Sequence, residues 1–178
     1  MNIIVIRHGK VDMKWRRMST SIQFDEDCSH YDEAPLHKVD KIVDFDIPKA
    51  IYISTLKRSK KTAEALFGER DYTITKLINE VPLRSSFNSR VNLPLWLWNA
   101  MGRIQWLFGD DRQLESKKET ENRADKFIKR LLTANEDCVI VTHGFYMQTF
   151  VKRLKFHGFK IQKKRISYSN LDEFIAIR

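Results

Sequence analysis

The chain has 178 residues, of which 42% are apolar and 31% charged, and it carries a formal net charge of +9 at pH 7. This balance excludes a disordered chain, and Leu93 to Trp98, the most apolar late stretch, is far too short to span a bilayer. One substantial core suits this length, so residues 1–178 are expected to form a single domain. The two cysteines, Cys28 and Cys138, make no disulfide framework, and the five-residue apolar start is too short for a secretory signal. The reducing cytoplasm is the expected compartment.

Asn2 to Ile6 is a β-branched run that stops at Arg7-His8-Gly9, the pattern of a strand buried on both faces. Asp12 to Asp32 is polar and without a clean period, and reads as an irregular excursion. Pro35 is expected to open a helix with Leu36, Val39, Ile42 and Val43 on one face. Ala50 to Ile53 is a second short strand. Ser54-Thr55 would then cap a helix from Leu56 to Phe67, packed through Leu56, Ser59, Ala63 and Leu66 and stopped by Gly68. Tyr72 to Thr75 alternates like a strand near an edge, and Leu77 to Leu83 is a loop presenting Glu80.

An aromatic-rich insertion at about 84–112 follows, with three of the four tryptophans. A core helix is the plainer reading. A cap over a pocket, or a self-association surface giving a homodimer, is the alternative, and Pro94 and Gly102 argue against one unbroken helix. Glu115 to Asn135 carries a helical stripe of Ala124, Phe127, Ile128, Leu131 and Leu132. Cys138 to Thr142 is an apolar strand running into His143-Gly144 and a helix. Gly158 turns the chain, and Leu171 to Ile177 supplies a final strand. Strands alternating with helices predict an α/β fold, a three-layer α/β/α sandwich with a mostly parallel central sheet.

In such a sheet the ligand crevice lies beyond the carboxyl ends of the strands. Arg7 and His8 follow the first strand, Arg58 the second, Glu80 the third and His143 the fourth. Two guanidiniums can fork around phosphoryl oxygens, one imidazole can attack phosphorus, and a carboxylic acid can protonate a departing alkoxide. The Gly144 end of the following helix offers backbone N–H groups to the same anion. No Cys/His/Asp cluster has metal spacing, and no glycine-rich phosphate loop or cofactor motif occurs, so neither metal nor cofactor is expected.

These residues resemble the histidine phosphatase superfamily, which holds the cofactor-dependent phosphoglycerate mutases and small-molecule phosphatases such as α-ribazole phosphatase. The resemblance rests on Ile4-Val5-Ile6-Arg7-His8-Gly9, on Ser54 to Ala63 with Arg58, on Leu77-Ile78-Asn79-Glu80, and on Val139 to Gly144. Glu115-Ser116 with Arg123-Ala124 also looks like the family's helix before the last motif. It implies a phosphoglycerate mutase-like fold, His8 as the nucleophile that becomes phosphohistidine, Arg7, Arg58 and His143 around the phosphoryl oxygens, and Glu80 as proton donor. Lys10 stands where the family usually has Glu or Gln, Thr55 where it has Pro, and Lys61 where it has Gln. The Phe-Gly usual after the acid is replaced by Val81-Pro82. Lys10, with Lys14, Arg16 and Arg17, would suit a substrate bearing more than one negative group.

The expected activity is therefore hydrolysis of a small phosphomonoester in the cytoplasm. The alternatives are mutase-type phosphoryl transfer, a protein phosphohistidine phosphatase, and a non-catalytic anion-binding module. The net charge fits general solubility or attraction of anionic substrates. Nucleic acid ranks below both, although Lys152 to Arg165 holds seven basic residues and no acidic one.

Overall fold

The structure, a computed structural model, describes residues 1–162 and 168–178. The chain runs β1 (Asn2–Arg7), β2 (Met18–Ser19), α1 (Ser21–Glu33), β3 (Ala50–Ile53), α2 (Lys57–Phe67), β4 (Thr73–Ile74), a 3-10 turn (Lys76–Ile78) and β5 (Leu93–Pro94). It continues through α3 (Leu95–Phe108), α4 (Lys117–Ala134), β6 (Cys138–Thr142), α5 (Gly144–Phe156), β7 (Lys160–Ile161) and β8 (Glu173–Ile177). Three of the basic residues expected as a patch, Lys163, Lys164 and Arg165, lie outside the described residues.

The central sheet has the order β4-β3-β6-β1-β8-β7. Its β4, β3, β6 and β1 are mutually parallel, while β8 runs antiparallel to β1 and β7 pairs antiparallel with β8 at the edge. The apolar runs of β1 and β6 serve two faces at once. Ile3, Val5 and Ile140 pack with Phe127, Ile128 and Leu131 of α4 and with Met147 and Phe150 of α5. Ile4, Ile6, Val139 and Val141 pack with Ala63 and Phe67 of α2 on the other face. Burial on both sides is why these strands read as continuous rather than alternating. The three-layer, mostly parallel α/β/α architecture is thus present.

Several local expectations change. Residues 21–33 are helical, opened by a capping box in which Thr20 Oγ1 accepts from Gln23 N–H at 3.3 Å and Gln23 Oε1 accepts from Thr20 N–H at 3.0 Å. The expected helix from Pro35 does not form. Val43, Phe45 and Ile47 pack singly against the α2 face of the sheet while Ile42, Asp44 and Asp46 face solvent, a period of two that holds the segment extended. Ser54 and Thr55 do not cap α2, whose N-terminus at Leu56 has no side-chain cap. Its buried face is Arg58, Ser59, Thr62, Ala63 and Phe67, with Leu56 and Leu66 only half buried. Gly68 does end it, at φ 76°.

The helix α3 is unbroken. Pro94 sits at its N-cap, where a missing N–H costs nothing, and Gly102 lies inside it, where a Cβ would meet Leu83 Cδ1 at 2.6 Å. The helix therefore uses its glycine for close approach. Trp98 anchors α3: it is wholly buried, donates Nε1–H to Ser19 O at 3.0 Å, and stacks on Phe24 of α1 at 5.7 Å between centroids. Outside this anchor, Trp96, Ile104, Leu107 and Phe108 are exposed.

Trp98→Ala should remove the anchor at a cost of about 3–5 kcal/mol, the usual loss for a buried Trp truncated in a core. Urea unfolding measures it, and a loss below about 1 kcal/mol would show that α3 is held elsewhere.

Candidate functional site

Parallel pairing brings the chemistry together. Arg7 pairs with Thr142 and Ile53 with Val141, so the chain ends after β1, β3 and β6 emerge side by side at one edge. His8 N–H donates to Thr142 O at 2.9 Å, and the His8 and His143 ring centroids stand 5.0 Å apart.

His8 is buried, and its Nδ1–H donates to the Gly9 carbonyl at 2.7 Å. That bond assigns the proton to Nδ1 and leaves the Nε2 lone pair free. Gly9 itself is packed: its N–H donates to Thr62 Oγ1 at 2.9 Å, and a Cβ there would stand 3.0 Å from Val39 Cγ2. Arg7 and His8 are further held from the far end of the chain. Arg7 N–H donates to Asp172 O, Leu171 N–H to Arg7 O, Arg7 Nη1 to Tyr168 O, and Asn170 Nδ2 to His8 O. Leu171 adopts φ 60°, the left-handed region, to make this turn. The buried Arg7 Nε has no hydrogen-bond partner among the described residues. Gly144 makes room for this guanidinium, because a Cβ there would stand 2.8 Å from Arg7 Cζ.

Arg58 projects from the first turn of α2 and is wholly buried. Its Nε–H donates to His143 Nδ1 at 3.2 Å, its Nη1 to Asp32 Oδ1 at 2.7 Å, and Tyr31 lies against it at 5.0 Å. His143 therefore accepts at Nδ1 and donates from Nε2 to Ser54 Oγ at 2.7 Å. Ser54, expected as a cap, instead accepts the proton that Arg58 confines to His143 Nε2.

Glu80 follows the 3-10 turn and reaches the N-terminus of α5. Its Oε1 accepts from Tyr146 N–H at 2.8 Å and Val81 N–H at 2.9 Å, and its Oε2 from Phe145 N–H at 3.2 Å. Two of the N–H groups expected to serve a ligand are thus engaged by Glu80. The loop before it is held by Arg123, which pairs with Glu115 at 2.6 Å and donates to Leu77 O and Asn79 O.

A cleft of about 1120 Å³ opens beside Arg7, Arg58 and Glu80, and the buried His8 and His143 are not among its lining residues. Arg7, Arg58, Glu80 and Gly144 line it, together with Asp25, Asp32, Arg84, Arg103, Gln148 and Tyr168. Lys10 does not: it is exposed and outside the lining, its carbonyl accepting from His37 N–H. Lys14, Arg16 and Arg17 are absent from the lining too, and Arg16 is paired with Glu26 and Asp27. The further cations of the cleft come instead from Lys76, Arg84, Arg103 and Arg123. Sequence reasoning missed Asp32, Arg103, Tyr168 and Asn170. Asn170 carries no local signal.

The electrostatics follow from burial. Desolvation, with Arg58 and then Arg7 nearby, holds the His8 imidazole down to about 3, despite the opposing bond to Gly9. Burial, then Arg58 and His8, puts His143 well below its ordinary value. Both rings are neutral at physiological pH. Cys28 lines the cleft, but burial beside Asp25 and Asp32 pushes its thiol up to about 12, so it remains protonated. Among the described residues no group of three or more His, Cys, Asp or Glu is arranged to hold a metal ion, and no helix is long and apolar enough to cross a membrane.

The family model of the histidine phosphatase superfamily (branch 1) matches residues 3–171. No curated protein matches the chain in sequence. Similar solved structures include a mutant phosphoserine phosphatase from Entamoeba histolytica in complex with phosphoserine (17% identity, TM-score 0.55, covering 98% of this chain and 89% of that one). A putative α-ribazole-5′-P phosphatase from Escherichia coli is similar at 19% identity and TM-score 0.55, over 97% of this chain and 96% of that one. Phosphoglycerate mutase from Bacillus anthracis is similar at 16% identity and TM-score 0.59, over 98% and 87%. At these identities the likeness is one of fold, phosphoglycerate mutase-like.

The two neutral rings make stability depend on pH. In the unfolded chain each imidazole takes up a proton as pH falls through about 6.5, whereas folded His8 does so only near 3 and His143 well below its ordinary value. The unfolded state binds more protons, so the contribution is complete above pH 6.5 and is lost as pH falls toward 3. Each ring should cost at most about 1.4 kcal/mol per pH unit in that window. Urea unfolding at pH 7, 6 and 5 checks this, and a flat profile would contradict neutral burial.

Proposed function

Because the chain belongs to branch 1 of the histidine phosphatase superfamily, we propose that it hydrolyses a small phosphomonoester through a phosphohistidine on His8. The observation that carries the reading is a buried imidazole with Nδ1–H tied to Gly9 O, its Nε2 lone pair free, and two guanidiniums and a second imidazole around it. In the first step Nε2 forms a bond to phosphorus, the ester P–O bond breaks, and the Glu80 carboxylic proton passes to the departing oxygen. In the second, water attacks phosphorus, its proton goes to the Glu80 carboxylate, the N–P bond breaks, and inorganic phosphate leaves.

Charge on the phosphoryl oxygens is met by fixed donors. Arg7 offers the unpartnered Nε and Arg58 is held rigid by Asp32, while His143, accepting from Arg58 at Nδ1 and donating from Nε2 to Ser54 Oγ, braces Arg58 from behind. Donors that do not reorganise are the most effective stabilisers of developing charge. Glu80 is aimed into the cleft by Phe145 and Tyr146 N–H groups, and its Oε2 carries only the longer bond. We assign α3, which gives Leu95, Asn99 and Arg103 to the lining, the role of a cap over the leaving group. Hydrolysis rather than transfer is favoured by the cleft volume of about 1120 Å³, which leaves room for water beside a small ester.

Acid-labile phosphate label should appear on the wild type during turnover of p-nitrophenyl phosphate and disappear in His8→Ala; label that persists there would reassign the nucleophile.

Glu80→Gln should slow an alkyl phosphate by roughly 10²–10⁴, the usual worth of positioned acid catalysis, and p-nitrophenyl phosphate much less because its leaving group needs no proton. Small and equal effects on both esters would remove Glu80 from the acid role.

A further inference from the structure

Of the guanidiniums lining the cleft, Arg58 pairs with Asp32, Arg84 with Asp25 and Arg123 with Glu115. Arg103 of α3 has no ion-pair partner among the described residues. It is half buried, and its contacts are long: Nη1 to Val81 O at 3.3 Å and Pro82 O at 3.4 Å, and Nη2 to Val81 O at 3.4 Å. The acidic groups nearest in electrostatic terms are Glu80 and Glu115, and both are engaged elsewhere, by backbone N–H groups and by Arg123. A desolvated cation without a counterion is costly unless an anion arrives to meet it.

Its orientation is also fixed. The guanidinium lies over the Phe145 ring at 3.7 Å from the centroid, and Trp106 meets the same ring edge-on at 5.0 Å. Stacking holds the fork flat while leaving N–H groups at its rim. Phe145 places it relative to the chemistry, because its backbone N–H holds Glu80 Oε2 at 3.2 Å. An anion met by Arg103 therefore belongs to the leaving group that Glu80 protonates, not to the transferred phosphoryl.

Resting on the phosphatase reading above, we propose that Arg103 binds a second anionic group, carboxylate or phosphate, on the alcohol part of the substrate. Asn99, one turn earlier on α3 and also in the lining, supplies a neutral donor alongside it. The substrate class is then a small ester with negative charge at both ends. The lowering of the Arg103 pKa by burial agrees with a cation kept dry for such a group.

The test compares kcat/KM for esters that differ only at the far end: 3-phosphoglycerate and glycerol 1,3-bisphosphate against glycerol 3-phosphate. Wild type should prefer at least one anionic ester, and Arg103→Gln should lower that preference ratio about 10- to 100-fold, the worth of a charge-assisted fork. Arg103→Lys, which keeps the charge, should retain part of it, and the preferred ester identifies the anion. A wild type without preference, or an Arg103→Gln variant that slows all three esters equally, overturns the proposal and leaves Arg103 as a brace for the Val81-Pro82 loop. If no ester is turned over, the phosphatase reading fails by itself. Calorimetric binding of the same three compounds to His8→Ala, with and without Arg103→Gln, still reads the subsite, and equal affinities there would refute it.

Discussion

A charged guanidinium in the protein interior governs the rest of the site. Arg58 is 1% exposed, and taking such a group out of water costs several kcal/mol unless its N–H groups are met. Asp32 of α1, His143 after β6 and the Tyr31 ring meet it from three directions. This one side chain thereby decides where α1 lies over α2, which nitrogen of His143 carries the proton, and why Ser54 must present a hydroxyl acceptor. After burial itself, its positive charge is the next cause that keeps both imidazoles neutral, so the same residue shapes the pocket and contributes to the protonation state within it.

The parts of the fold legible in sequence are those whose pattern serves packing alone. The runs at Ile3 to Ile6 and Cys138 to Val141 fill two cores, and α4 buries Ala124, Phe127, Ile128 and Leu131 as its periodicity demands. The helix α1 was unreadable for the opposite reason. Its buried residues are only Ser21, Phe24 and Asp27, while Asp25, Cys28, Ser29, Tyr31 and Asp32 face the cleft, so the apolar stripe that would announce a helix is absent. Polar residues on an inner face mark a working surface. Residues 35–47 failed differently. Spacings of three and four at Leu36, Val39 and Val43 imitate a helix, but Val43, Phe45 and Ile47 alternate with aspartates, and the sheet face selected that shorter period.

Of the candidate residues, Arg7, His8, Arg58, His143 and Gly144 could be placed near one another from sequence because each ends or follows a strand or lies in the first turn of a helix, and Glu80 because it follows the 3-10 turn after β4. The supporting residues could not. Tyr168 and Asn170 act through single bonds across 161 and 162 residues and Asp32 through one across 26, and no local pattern encodes such a bond. Lys10 shows the converse error. It is next but one to His8 in sequence, yet the turn at Gly9 carries it to the exposed side.

The pairing of β1 has a temporal side. Among the described residues its neighbours are β6 and β8, so this strand finds its partners only after more than 130 further residues have been added. The hydrogen bonds from residues 168–172 that seat Arg7 and His8 form later still. Contacts of such long sequence separation require large loops to close first, which slows folding. The chain therefore carries the His8 imidazole without an organised setting until β6 and β8 have been added, and a piece that stops before them lacks the strands on which that setting is built. The setting of Arg7 and His8 is completed together with β8.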